Sequence, residues 1–174
     1  MKNKFIAGIL GPGESSTPEE NEWAFELGRA VAQCGWILLT GGRSFDVMDS
    51  AMKGAVEEGG LTLGILPADS EEGSSENARI KIITGMGSAR NQINILSSDL
   101  VVVVGMAPGT ASAVALAIKA GKKVILYRQE METIGFFKKL GGHLVIEAHA
   151  VEEIITLLDQ YQGMHKNLGW EGEV

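Results

Sequence analysis

Short apolar runs that end in glycine turns and then hand over to helix-spaced segments recur along the whole chain, and this rhythm constrains the fold more than any other feature. Phe5–Leu10, Trp36–Thr40, Leu61–Leu66, Leu100–Val104 and Lys123–Tyr127 are mostly apolar strand candidates, and Trp36–Thr40 in particular reads as a strand buried on both faces. Arg79–Thr84 and His143–Ile146 add two weaker strands. The first helix between them has a clear start: Thr17 as N-cap, Pro18 at the first helical position, and Glu20 completing a capping box. Trp23, Leu27, Ala30, Val31 and Cys34 follow at helical spacing, and Gly35 stops the helix. The turn Gly41-Gly42-Arg43-Ser44 opens a second helix through Val47, Met48, Ala51, Met52 and Ala55, closed by Gly59-Gly60. Further helices are expected from Ser88 to about Ser97, from near Thr110 to Gly121, over Thr133–Leu140, and over Val151–Tyr161. Pro67–Ala78 reads as a mobile surface loop. The segment from Gly163 to Val174 shows no periodicity, so residues 1–162 form the expected domain and 163–174 a tail, loosely held or borrowed by a partner subunit.

Alternating strand and helix requires a parallel sheet joined by right-handed crossovers. The expected class is α/β: a Rossmann-like, doubly wound parallel sheet of about seven strands with helices on both faces. In such sheets a ligand sits beyond the carboxyl ends of the strands, where the strand order reverses. The glycine joints after Leu10, Thr40, Thr84 and Val104 would share that edge.

Charge decides how an anion could be held there. Fifteen Lys and Arg against 22 Asp and Glu leave a net charge of -7, which repels nucleic acid and anionic membranes as a whole. An anionic ligand must therefore be gripped locally, by backbone N–H groups, helix N-termini and a few arginines. With 174 residues, 45% hydrophobic, the chain suits one ordinary core. It has no apolar run long enough to span a bilayer and no signal-peptide pattern, so a cytoplasmic protein with no nucleic-acid or membrane partner is expected. A single cysteine forms no intrachain disulfide, and one Cys with three scattered His makes no zinc constellation.

Three segments carry the candidate chemistry. In VVVVGMAPGTASAVALAIKAGK (residues 101–122) a buried strand reaches a turn with Pro108 and Gly109, and a helix then opens at Thr110. Free N–H groups and the positive end of the helix dipole favour an anion, although the same pattern also suits a capped helix with nothing bound. TGGRSFDVMDSA (residues 40–51) repeats the design: Gly41 and Gly42 clear space, Arg43 offers a guanidinium fork, and Ser44 can cap the helix. TGMGSARNQ (residues 84–92) puts Gly87, Ser88, Arg90 and Asn91 at a helix start. An arginine there opposes the helix dipole unless an anion is near. The turn Gly11-Pro12-Gly13 lacks the G-x-G-x-x-G spacing of a dinucleotide fingerprint. The candidate site is thus Gly11, Gly13, Gly41, Gly42, Arg43, Ser44, Gly87, Ser88, Arg90, Asn91, Pro108, Gly109, Thr110 and Ser112. Cys34 reads as a buried structural thiol, and His143, His149 and His165 as surface or packing residues. Asp46, Asp49 and Asp99 read as caps or solvated carboxylates. No Gly-x-Ser-x-Gly elbow or Walker A sequence is present.

In order and spacing, ILGPGESSTPEE, GWILLTGG followed by VMDSAMKGA, GLTLGILP, SARNQ and APGTASAVALAIKAGKKVIL resemble the superfamily of the Lonely Guy phosphoribohydrolases, once called lysine decarboxylases. The likeness spans roughly residues 3–160, and its nearest branch is the molybdenum cofactor carrier proteins. The hydrolase motif reads Pro-Gly-Gly-x-Gly-Thr-x-Glu-Glu. Gly109 and Thr110 match its Gly-Thr, Ser112 and Ala113 stand where the glutamates would be, and Arg90 matches an upstream arginine whose lysine neighbour is here Asn91. N-glycosidic cleavage needs a carboxylate to position water or to stabilise the oxocarbenium-like charge, and Ser and Ala cannot supply it. The resemblance therefore implies no catalytic residues and a carried cargo: molybdenum cofactor, a pterin with one phosphate and a dithiolene that brings its own metal. It also implies a homo-oligomer, dimer or tetramer, and molybdenum enzymes as acceptors. Two alternatives stay open, both taking a nucleoside monophosphate: a phosphoribohydrolase using another acid such as Glu14 or Asp46, and a non-catalytic nucleotide sensor.

Overall fold

The computed structural model describes residues 4–167. Seven parallel strands form one sheet in the order β4-β3-β2-β1-β5-β6-β7. They are β1 (Ile6–Leu10), β2 (Ile37–Thr40), β3 (Thr62–Leu66), β4 (Ile80–Ile83), β5 (Leu100–Val104), β6 (Lys123–Tyr127) and β7 (Val145–Ala148). Six helices cover them: α1 (Pro18–Gln33), α2 (Asp46–Glu57), α3 (Asn91–Ser97), α4 (Pro108–Lys119), α5 (Met131–Gly141) and α6 (Val151–Asn167). This is the expected doubly wound α/β sandwich. The chain builds outward from β1 to β4, then returns to place β5 against the free side of β1, so the order reverses between β1 and β5.

Two cores explain the layering. On one face α1, α2 and α6 bury Leu27, Val31, Met52, Ile154 and Leu158 against Ile9, Leu38, Val102 and Ile125. On the other, α3, α4 and α5 bury Ile95, Val114, Ala117 and Phe137 against Val101, Val103, Val124 and Leu126. Alternate residues of β5 feed alternate cores, which is why its whole run is buried and apolar. Among the described residues no helix is long and apolar enough to cross a membrane.

The α1 start is as expected: Thr17 and Glu20 make a reciprocal capping box. Elsewhere the structure moves boundaries. The last strand begins at Val145, two residues later than the sequence suggests, because Gly142–Leu144 form a 3-10 turn. The last helix runs past Tyr161 and through Gly163 to Asn167, where Tyr161 and His165 stack at 4.2 Å. The expected tail thus begins inside a helix, and its remainder lies outside the described residues.

Pro67–Ala78 is tied down rather than loose. Arg43 and Ser74 form an antiparallel bridge, and Ser75 N–H donates to the Gly42 carbonyl at 2.9 Å. The Asp49 carboxylate accepts from the Ser75 hydroxyl and from Asn77 Nδ2. An acid on the second helix thereby fastens a crossover that has no helix of its own, and holds the backbone of Arg43.

Gly28 and Gly54 let α1 and α2 meet backbone to backbone. A Cβ on Gly28 would overlap the Ala51 carbonyl, with its carbon 2.8 Å away, and one on Gly54 would overlap the Phe25 carbonyl. Helix propensity alone would favour alanine at either position by up to ~1 kcal/mol. The contact reverses that sign, because forcing atoms into a packed interface costs about 1–3 kcal/mol. Gly28→Ala is therefore expected to lower the urea midpoint of unfolding, and an unchanged midpoint would show that the helices part without cost.

Candidate functional site

The carboxyl ends of β1, β2 and β5 open onto a cleft of about 270 Å³ at the reversal of strand order. Most of the residues singled out in the sequence reach it. Gly11 and Gly13 come from the turn after β1, and Gly41 and Arg43 from the turn after β2. Gly87, Ser88, Arg90 and Asn91 come from the 3-10 turn over Gly87–Arg90 and the start of α3, and Gly109 and Thr110 from the first turn of α4.

Four others do not line it. Gly42 is a structural corner with φ +71°: its N–H donates to Thr40 Oγ1 at 2.9 Å, and a side chain there would meet Leu66 and Gly64. Ser44 is exposed, its N–H donating to the Gly73 carbonyl at 3.1 Å. It does not cap α2, which starts after Phe45 without a side-chain cap. Pro108 is exposed at the first position of α4. Because α4 starts at Pro108 rather than near Thr110, the helical period turns Thr110, Ala113 and Val114 inward and Ser112 outward to solvent.

Arg90 dominates the electrostatics. Its guanidinium lies across Gly41, where a Cβ would stand 2.5 Å from Nη2 and 2.7 Å from Cζ, so this glycine makes room for the cation. Arg90 Nη1 donates to Asn91 Oδ1 at 2.8 Å. Burial first, and then the neighbouring Arg43 charge, push the Arg90 pKa down to about 10, which leaves it protonated at neutral pH. Arg43 packs 5.5 Å over the Phe45 ring. No ion pair engages either arginine among the described residues. A partly desolvated cation beside a second one, with no counter-charge, is unfavourable by itself, and an anion in the cleft would remove the conflict.

No Asp, Glu, His, Cys or Lys lines this cleft. Glu14 and Asp46, two acids that the alternative hydrolase reading could use, are both outside its walls. Cys34 is half-buried at the C-cap of α1, and burial pushes its thiol up, away from nucleophilic use. Among the described residues no three His, Cys, Asp or Glu are grouped to hold a metal ion. The N-terminus of α4 faces the cleft uncapped by any side chain, and the first N–H groups of a helix have no intrahelical acceptor.

Unpartnered polar atoms concentrate here. Buried side-chain nitrogens and oxygens in folded proteins nearly always have a partner. Of those without one among the described residues, Arg90 Nε, Asn94 Nδ2, Asn94 Oδ1 and Thr110 Oγ1 all belong to side chains of this cleft, and only Trp36 Nε1 lies elsewhere. Asn94 was missed in the sequence, although it falls one helical turn after Arg90 and so shares its face. Leu10, Met48 and Ala113 complete an apolar wall.

Fold and cleft together define a Rossmann-like α/β protein with an open crevice at the topological switch point. Residues 4–155 match the SLOG cluster4 family, a Lonely Guy-like group, and the chain belongs to that family. The solved structure of the molybdenum cofactor binding protein from the phototrophic bacterium Rippkaea orientalis is 43% identical, with TM-score 0.89, covering 92% of this chain and 98% of that one. The molybdenum cofactor carrier protein from Chlamydomonas reinhardtii is 48% identical, with TM-score 0.88, covering 92% and 99%. An uncharacterized protein of Archaeoglobus fulgidus is 40% identical over 117 residues, which is 67% of this chain and 76% of that protein. The resemblance drawn from the sequence motifs and these comparisons agree.

Gly109 offers a test of the cleft that leaves the fold alone. Nothing stands within 4 Å of a Cβ built there, so the apo protein should tolerate Gly109→Ala and gain about 0.5–1 kcal/mol of helix stability. The added methyl would crowd an anion approaching the α4 backbone. Thermal unfolding should be unchanged or slightly raised while the Kd for inorganic phosphate, followed by calorimetry, increases. Equal phosphate affinity would show that the ligand does not approach this turn.

Proposed function

We propose that this chain binds molybdenum cofactor, carries or protects it without catalysis, and holds it chiefly by its phosphate. The observation that carries the reading is the convergence of two unpaired arginines and several unpartnered polar atoms on one cleft that has no carboxylate in its walls. A phosphate can take N–H groups from Gly109 and Thr110, the Thr110 hydroxyl, and the guanidinium of Arg90, with Arg43 adding charge. The apolar side chains of Leu10, Met48 and Ala113 suit the flat pterin. The dithiolene supplies the metal's ligands, so the chain need contribute none. The structures similar to this one, described as molybdenum cofactor binding and carrier proteins, support the same cargo.

The phosphoribohydrolase reading is disfavoured by the position of Glu14 and Asp46 outside the cleft. A homo-oligomer fits the apolar side chains exposed on β4 (Ile80, Ile82, Ile83) and α5 (Met131, Phe136, Leu140). Delivery to molybdenum enzymes in the cytoplasm completes the proposal.

Titration of the cofactor, read by pterin fluorescence after release, should give saturable binding. Arg90→Ala should weaken it by roughly 10- to 100-fold, since a hydrogen bond to a charged group contributes about 1.5–3 kcal/mol. Arg43→Ala should act less strongly, with a smaller loss at high salt, where screening has already reduced a charge that does not touch the ligand. Incubation with AMP should release no free base. Failure to retain the cofactor, or base release abolished by Arg90→Ala, would overturn the proposal.

A further inference from the structure

Asn94 is the least explained residue of the cleft. It is 1% exposed, it lines the cavity, and neither its amide nitrogen nor its amide oxygen has a partner. Leaving both ends of one carboxamide unpaired in an interior is destabilising. Yet the residue is placed firmly. Ser98 Oγ donates to the Asn94 carbonyl at 2.8 Å, and Gly8 of β1 leaves space for Ser98, whose Cβ would stand 3.0 Å from a Cβ on Gly8. These contacts draw α3 onto β1 and carry the Asn94 side chain to the cavity wall.

The chemistry of the two free atoms limits what can satisfy them. A phosphate at neutral pH presents acceptors. It can pair with Nδ2, but it leaves Oδ1 facing negative charge. A single group satisfies both ends of a carboxamide at once only when it offers a donor and an acceptor side by side. The lactam edge of a pterin ring, with its ring N–H beside a carbonyl oxygen, has that pattern, and an apolar ring face would lie along Met48 and Ala113.

We infer that Asn94 is the specificity-determining residue of this cleft, pairing through both amide atoms with the lactam edge of the pterin while the arginines and the α4 N-terminus hold the phosphate. This rests on the proposed cargo and adds to it a division of labour: charge selects the phosphate, and one neutral amide selects the ring.

The experiment compares inorganic phosphate with a phosphorylated pterin on the full chain and on Asn94→Leu, which keeps the volume and removes both polar atoms. Asn94→Leu should raise the apo melting temperature, because an uncompensated buried amide is removed. It should also weaken the pterin phosphate about 10- to 100-fold, as expected when two hydrogen bonds to a ligand are lost, and change phosphate affinity by less than about twofold. Asn94→Asp serves as a second variant if Asn94→Leu misfolds. It keeps the shape but not the donor, and should weaken the pterin phosphate by a larger factor than it weakens phosphate alone. Equal losses for both ligands would assign Asn94 to the phosphate and overturn the inference. So would unchanged pterin affinity in both variants with the wild-type chain still binding, although the cofactor reading would then stand. A wild-type chain that binds phosphate but no pterin would overturn both.

Discussion

Two guanidinium groups held near each other with no carboxylate between them set the conditions that the rest of the cleft must meet. Arg90 lies half-buried over Gly41, its pKa falls to about 10, and part of that fall comes from Arg43. A chain with a net charge of -7 has acids to spare, and none is placed to relieve the pair. The arrangement is therefore maintained by packing and backbone contacts rather than by charge balance. The 3-10 turn presents Arg90, and the bridge between Arg43 and Ser74, fastened by Asp49, fixes the other cation. Polarity at functional sites commonly costs stability in this way, and the folded state tolerates it because the two cores on either side of the sheet are continuous and well filled.

The same logic covers the uncharged groups. Thr110 is 4% exposed and its hydroxyl has no partner, in the first turn of a helix that also lacks a side-chain cap. A helix whose start is left uncapped and whose nearby hydroxyl is left unpaired forgoes roughly 1 kcal/mol or more of local stability. Those donors point to the place where the strand order reverses, which any doubly wound sheet leaves open because its crossover loops diverge there. Topology supplies the opening, and the unpaired donors give it its polar character.

How much of this was legible in the sequence depends on the range of the interaction. The strands, the capping box at Thr17 and the glycine joints are written in neighbouring residues, and the fold class followed from them. The turns that carry Arg90, Gly109 and Thr110 could also be read, because each joins one strand to one helix. The contacts that failed to show are long-range. Asp49 looked like a solvated carboxylate, and only the folded chain brings it to Ser75 and Asn77, so a segment rich in Ser, Glu and Gly read as loose. Gly28 and Gly54 sit mid-helix, and their reason is another helix's carbonyl. Asn94 looks like an ordinary polar residue in a short helix until its burial is known.

Helical phase gives the missing glutamates of the hydrolase motif a sharper meaning. In the sequence the two motif positions, Ser112 and Ala113, carry equal weight. In the structure only Ala113 lines the cleft, buried in its wall, while Ser112 is exposed. A carboxylate at position 113 would stand in the same cavity as Arg90 and would compete with a bound phosphate for that guanidinium. A methyl there does the opposite: it leaves the cation uncommitted and gives a flat ring an apolar surface. Helical phase thus makes position 113, and not position 112, the one whose side chain can act inside the cleft.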